Sequence, residues 1–325
     1  MKGTFILSID VELAWGFLEC VLIGDKELAS VRGARSALRP LLKLLEDYEV
    51  PVTWFIVGHV FLDRCECVNG RPHPDMPRPR YSWFIGDWYR YDPCTNLSKD
   101  PAWYGADIVS EIMRHKRNTC VRNDICPHTF SHPVLGDPGC TEEVARREIE
   151  KCLEIMSRLS IKPRAFAFPL NDIGYVELLK DYGFTAFRGR VPYASRWPLG
   201  IDPFNKLRRS IHKGLVFFRC VKSVPIVFPR KVLPGLYEIP SSACFAGPPR
   251  FLEILASSIK RGIKNLTAKK GILHVYTHLH NFGLNKDHVL SIFEDILCTV
   301  FRKSVRGEIQ MASVEEVAEK LIRKL

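Results

Sequence analysis

Short apolar runs alternate with segments of helical period along almost the whole chain, and this alternation most limits the folds open to it. Residues 4–9 read as a fully apolar strand. Residues 33–48 read as a helix, with Leu38, Leu41, Leu42 and Leu45 on one face. Pro51 then opens a second strand over 52–57. A strand–helix–strand unit implies a parallel pair. The pattern repeats through helices at 107–115, 141–160, 172–182, 249–268, 285–301 and 314–324. Strands fall at 121–126, 165–168, 184–187, 236–239, 272–277 and 308–312. The expected class is α/β, with a parallel sheet either open or closed into a barrel. A chain of 325 residues suits one such domain over 1–325. Ligands in these folds bind at the carboxyl ends of the strands, where Asp10, His128 and His278 fall.

Two stretches break the alternation. Residues 63–104 crowd Pro, Gly, Trp, Tyr and Arg without any period, and a loop this long is usually functional. It is expected to be a substrate loop, with Trp83, Trp88 and Tyr89 stacking on sugar rings. The segment 188–237 carries eleven of the basic residues that make the net charge +11, against the single acid Asp202. It reads as an accessory region attracted to an anion, either a phosphate-bearing substrate or a membrane surface touched peripherally. No nucleic-acid motif accompanies it, so nucleic acid is not expected.

No stretch approaches the ~20 apolar residues that span a bilayer, and the start of the chain does not read as an export signal. The expected location is the cytoplasm, with peripheral membrane contact allowed by the basic segment. Eleven cysteines without a CxxC pair read as free thiols in a reducing compartment. Cys65-x-Cys67, near Cys94, is a candidate for a structural metal.

The chemistry concentrates in His128-Thr129-Phe130-Ser131-His132, held between Pro127 and Pro133. In a single helical turn, two imidazoles four residues apart share one face at a spacing of about 6 Å and can converge on one ion. A second such pair, His274 and His278, lies on a strand, where four residues span about 13 Å, too far for one ion. Asp10 and Glu12 follow the first apolar strand and project to the same side. One can bind the metal while the other acts as a base. Two histidines and a carboxylate form a common catalytic metal set with open positions.

The order Asp10-x-Glu12, His128-x-x-Ser131-His132, Phe166-Ala167-Phe168-Pro169 and a late strand ending in histidine resembles the polysaccharide deacetylase family (NodB homology, carbohydrate esterase family 4), in a divergent branch with Asp-x-Glu in its first motif. The resemblance implies a deformed (β/α) barrel of about seven parallel strands. It implies a divalent metal, most often zinc, and removal of an acetyl group, mainly N-acetyl, from a sugar; the expected cytoplasmic location and the basic segment favour a nucleotide- or lipid-linked one. By the same resemblance Asp10 is the base, and Glu12, His128 and His132 are metal ligands. His278 is the acid, with His274 and His280 as alternatives, and Ser131 supports the turn. Val11 separates the two carboxylates, which leaves their division of labour open. The arginine that usually precedes the third motif's proline is replaced by Ala167. Arg164 lies upstream, and Arg188 is a substitute in space; both are expected to meet substrate.

Three other readings compete. One is cleavage of a different non-peptide C–N bond on the same fold. Another is a non-catalytic relative that binds glycan or membrane. The third is an iron oxygenase triad, which the α/β alternation opposes.

Overall fold

The computed structural model describes residues 2–20, 23–192 and 224–323, with a few positions between 207 and 221. In chain order the elements begin with β1 (Thr4–Val11), α1 (Asp25–Asp47) and β2 (Val52–Ile56). A small hairpin, β3 (Cys67–Val68) and β4 (Arg71–Pro72), follows, then α2 (Ala106–Asn118), β5 (Asn123–Pro127), α3 (Glu142–Arg158) and β6 (Ala165–Ala167). Next come α4 (Val176–Asp181), β7 (Ala186–Gly189), β8 (Arg230–Leu233), β9 (Leu236–Pro240) and β10 (Ala243–Cys244). The last elements are α5 (Pro249–Ala268), β11 (Ile272–His278), α6 (Lys286–Val305), β12 (Gln310–Met311) and α7 (Val314–Ile322).

The sheet around β1 is parallel throughout and runs β10-β11-β1-β2-β5, with β12 also on β1. Every residue of β1 and β2 is buried, as expected for strands covered on both faces. A second sheet runs β6-β7-β9-β8, parallel except for the terminal hairpin partner β8. The chain passes between the sheets at Ser241 and Ser242. Ser241 N–H donates to Gly189 O (3.0 Å), and Ser242 N–H donates to His274 O (2.7 Å). The α/β class therefore holds, but the strands form two ladders, since β5 and β6 are not paired.

Two elements depart from the sequence reading in ways that matter for the site. α1 starts at Asp25, eight residues before the expected 33, where Gly24 N–H donates to Glu27 Oε2 (3.2 Å). The extension packs on the tight turn Leu279–Phe282 that follows β11. Gly33 and Gly283 allow this approach, because a Cβ on either would collide with backbone of the other segment. β7 starts two residues later than expected. Gly183, at φ 81°, ends α4, with Gly183 N–H donating to Lys180 O and Phe184 N–H to Leu179 O. That cap consumes residues 183 and 184, and the shifted strand takes in Arg188.

The thiol expectation is corrected at one place: Cys67 and Cys94 form a disulfide, with Cα atoms 5.9 Å apart. Cys65, Cys120, Cys126, Cys140, Cys152, Cys244 and Cys298 are free. Much of the basic segment lies outside the described residues. Of its described members, Arg188 pairs with Asp10, Arg190 with Asp172, and Arg230 with Glu238 (2.7 Å), so these charges are answered within the fold. Among the described residues, no helix is long and apolar enough to cross a membrane.

Candidate active site

Neighbouring strands bring the expected residues to one end of the first sheet. Asp10 stands opposite His278 in the β1–β11 register. Ile56 of β2 stands opposite Pro127 of β5, and His128 N–H donates to Ile56 O (3.0 Å). The carboxylates and all three histidines therefore meet where β11, β1 and β5 end.

The histidine segment is not the helical turn its spacing suggests. Thr129 and His132 have φ of 60° and 64°, and the chain folds back as an irregular loop. The two rings still converge, with centroids 4.9 Å apart. The loop's polar groups are met from outside, which removes the reason to form a helix. Glu148 of α3 is the main partner. Its carboxylate accepts from Phe130 N–H and Ser131 N–H (both 2.7 Å), from Ser131 Oγ (2.6 Å) and from Tyr89 Oη (3.1 Å). Gly58 N–H and His59 N–H donate to Thr129 O (2.8 Å) and Phe130 O (2.9 Å).

Glu12 Oε1 lies 3.1 Å from His128 Nε2 and 3.2 Å from His132 Nε2. All three side chains are at most 4% exposed. His128 Nδ1 is bonded to Ala167 O (2.8 Å), so Nδ1 carries the hydrogen and a neutral ring turns its Nε2 lone pair toward a carboxylate. His132 Nε2 is buried without a hydrogen-bond partner. Lone pairs facing one another in a buried site are costly, and a cation between them removes the conflict. The residues thus fit a divalent ion with a His, His, carboxylate donor set.

Asp10 is 1% exposed and is gripped by Arg188, whose Nη1 and Nη2 reach its two oxygens at 2.5 and 2.6 Å. Burial would raise the Asp10 pKa, but the Arg188 charge and hydrogen bonds, with His128 and His278, hold it below its ordinary value. Arg188 is itself set by Asn171 Oδ1 (2.9 Å from Nε) and lies over the Tyr276 ring at 4.4 Å. His278 Nε2 sits 3.7 Å from Asp10 Oδ2 and 3.6 Å from Glu12 Oε1. Burial would lower its pKa, but the Glu12 carboxylate, aided by Cys244 and Asp10, pushes it up to about 10. Asn281 Nδ2 lies 3.4 Å from His278 Nδ1. His274 is fully buried against Ser8 Oγ (2.9 Å), and burial and Arg188 push it down to about 3. His280 is also pushed down to about 3, by burial and by His278. His278 is therefore the imidazole best placed to hold a proton at neutral pH.

The residues expected to meet sugar are placed differently. Trp88 and Tyr89 are 1% and 0% exposed, so neither presents an open ring face. They pack behind the histidine loop, where Trp88 Nε1 donates to Ser131 O (3.1 Å) and Oγ (3.0 Å). Trp83 is half-buried, stacks on Tyr81 with centroids 4.6 Å apart, and donates to Asp137 Oδ2 (3.1 Å). Arg164 is exposed at the amino end of β6, the end away from the site, and its carbonyl accepts from Thr185 N–H (2.8 Å). Arg188 meets Asp10 instead of solvent. Trp88→Phe removes the indole donor and is expected to cost about 1 kcal/mol of stability, read as a lower urea midpoint. A stacking role would instead raise KM and leave the midpoint alone.

Glu148, Asn171 and Tyr276 were not singled out from the sequence. A signal existed for Glu148 alone. It shares the buried face of α3 with Val144, Ala145, Ile149 and Cys152, where an acid is out of place unless it is bonded.

A Mycobacterium smegmatis protein assigned as a polysaccharide deacetylase superposes with a TM-score of 0.61 at 14% identity, over 99% of this chain and 91% of that one. A Pseudomonas aeruginosa PAO1 protein with the same assignment superposes at 0.59 and 11% identity, over 99% and 92%. This chain has the polysaccharide deacetylase fold. An allantoinase superposes at 0.56 and 11% identity, over 98% and 90%, so the fold is shared with an enzyme of another name. No family model matches the chain, and no curated protein matches it in sequence.

Proposed function

We propose that the chain is a metal-dependent hydrolase that removes an N-acetyl group from a sugar, with zinc as the ion. One observation carries this reading. The Glu12–His128–His132 cluster lies beside an arginine-held aspartate, Asp10, and a further histidine, His278, whose Nε2 is within 4 Å of both carboxylates. A divalent ion held by those three residues would polarise the acetyl carbonyl and acidify a water molecule.

The remaining work falls to this chain's own side chains. Asp10, kept ionised by Arg188, accepts the proton of the attacking water. Arg188 holds both Asp10 oxygens, so the carboxylate cannot rotate away from the reacting centre. As the C–N bond breaks, His278 Nε2 donates a proton to the leaving nitrogen. His278 is 22% exposed, so the site opens on its side and the substrate enters there. Tyr276 and Asn171 fix Arg188 from behind.

The allantoinase likeness, with the burial of Trp88 and Tyr89, favours a second reading: hydrolysis of another non-peptide C–N bond by the same residues. A substrate panel separates the two. The metal-stripped chain is reloaded with zinc and offered chitooligosaccharides, a nucleotide-linked N-acetylhexosamine, a polyprenyl-diphosphate-linked one, and allantoin. Acetate release from one sugar, lost on chelation and restored by zinc, is the expected result. Allantoin turnover without acetate release would move the assignment to the second reading. No turnover of any member by zinc-bound protein would leave a binding role.

A further inference from the structure

The insertion 63–104 has almost no regular structure, yet its interior is buried around four metal-donor side chains. His59 lies in the turn Gly58–Phe61 just after β2. Cys65 and His73 flank the β3–β4 hairpin, and Asp92 comes from the later part of the insertion. Their donor atoms all lie within 4.8 Å of one another. Asp92 Oδ2 is 2.9 Å from His59 Nε2, 3.3 Å from His73 Nε2 and 3.2 Å from Cys65 Sγ, and Cys65 Sγ is 3.5 Å from His73 Nε2. The edges of a zinc tetrahedron built on such ligands are about 3.3–3.6 Å. The four edges given above reach those values with movements of a few tenths of an ångström, and the remaining two, from His59 to Cys65 and to His73, are within 4.8 Å.

The surroundings are those of a ligand shell. Asp92 Oδ1 is held by Tyr104 Oη (2.9 Å) and Cys94 N–H (3.0 Å), which turns Oδ2 toward the other three groups. His59 Nδ1 is 3.2 Å from Trp103 O. A neutral His59 carries one ring hydrogen, and both of its nitrogens face oxygen acceptors. One contact therefore sets lone pair against lone pair unless a cation lies between. His73 is fully buried at φ 43°, a conformation uncommon for a side-chain-bearing residue, and its Nδ1 has no hydrogen-bond partner.

We propose that His59, Cys65, His73 and Asp92 form a second metal site, structural in role and suited to zinc. Binding releases the Cys65 thiol proton, because the ligand is the thiolate. The set of one sulfur, two imidazoles and one carboxylate is closed, with four protein ligands and no position for substrate. The ion ties three separated segments together directly behind the histidine loop. His59 and His73 pack on the Phe130 ring, with centroids 5.7 and 5.0 Å away, and His59 N–H holds Phe130 O. The insertion thereby becomes the clamped support from which Trp88 and Tyr89 reach Ser131 and Glu148.

The test uses the full chain. Cobalt(II) is added to metal-stripped protein carrying His128→Gln and His132→Gln, so that the first cluster cannot respond. One equivalent is expected to bind, with a sulfur-to-cobalt charge-transfer band in the near ultraviolet and tetrahedral bands in the visible. Cys65→Ser should abolish the sulfur band, and Tyr104→Phe should weaken binding about tenfold by freeing Asp92. A second measurement needs no variant. In unaltered protein under reducing conditions, Cys65 should be protected from alkylation by zinc and exposed by chelation, as read from its peptide mass. Failure to bind cobalt, a sulfur band that survives Cys65→Ser, or Cys65 alkylation that ignores zinc would each overturn the proposal. If either variant does not fold, the alkylation result on the unaltered chain decides.

Discussion

Asp10→Asn is expected to lower acetate release by about three orders of magnitude, within the 10²–10⁴ that a positioned general base contributes. Asparagine keeps the shape and still accepts one hydrogen bond, but it cannot take a proton from water. Asp10 lies outside the Glu12–His128–His132 trio but shares a second candidate cluster with Glu12 and His278, so zinc content measured on the same variant separates lost chemistry from lost metal. The substitution also strands a buried guanidinium. Removing one partner of a buried ion pair costs about 3–5 kcal/mol. Asparagine should fall at the low end of that range, because Arg188 retains Asn171 and the Asp10 carbonyl position as acceptors. A variant that keeps turnover within about tenfold of the parent would remove Asp10 as base and transfer the role to Glu12.

Glu148→Ala is expected to damage the site without touching it. Glu148 is 1% exposed and accepts four hydrogen bonds, two of them from the backbone of the histidine loop. Each stranded buried donor costs about 1–3 kcal/mol. Two backbone donors with no other acceptor set the loss near 3 kcal/mol, read as a lower urea midpoint. Zinc affinity at the His128–His132 cluster should fall with it, because the loop's left-handed residues lose what holds them. Glu148→Gln keeps one acceptor oxygen and should recover part of both. Unchanged stability with unchanged metal affinity would mean that the loop holds its shape by the Gly58, His59 and Trp88 contacts alone.

These two residues mark where the sequence could and could not be read. Asp10 was legible because it follows an apolar strand in a β–α pattern, and ligand sites in such folds lie at strand ends. The strand end of β1, with His128, His132 and His278, follows from the same rule together with the histidine spacings. The helical geometry expected for His128 and His132 was wrong, although the convergence was right. A four-residue spacing says that two rings can meet, and the partners of the intervening backbone decide how. Those partners are Glu148, Gly58 and His59, which are distant or unremarkable in sequence. The aromatic insertion was visible as an anomaly, but composition cannot tell a ring that faces solvent from one that faces the core. Trp88 and Tyr89 went inward because Ser131 and Glu148 offer their polar tips partners there.

By itself, the sequence determined the α/β class and the set of acids and imidazoles that gather at the strand ends. Both follow from local periodicity, which is written into neighbouring residues. Only the tertiary structure decided that Arg188 is the partner of Asp10, that Glu148 shapes the histidine loop, and that His59, Cys65, His73 and Asp92 meet. Those pairings join residues from 8 to 178 positions apart. Such distances along the chain leave no periodic trace, and burial alone sets which polar groups must find one another.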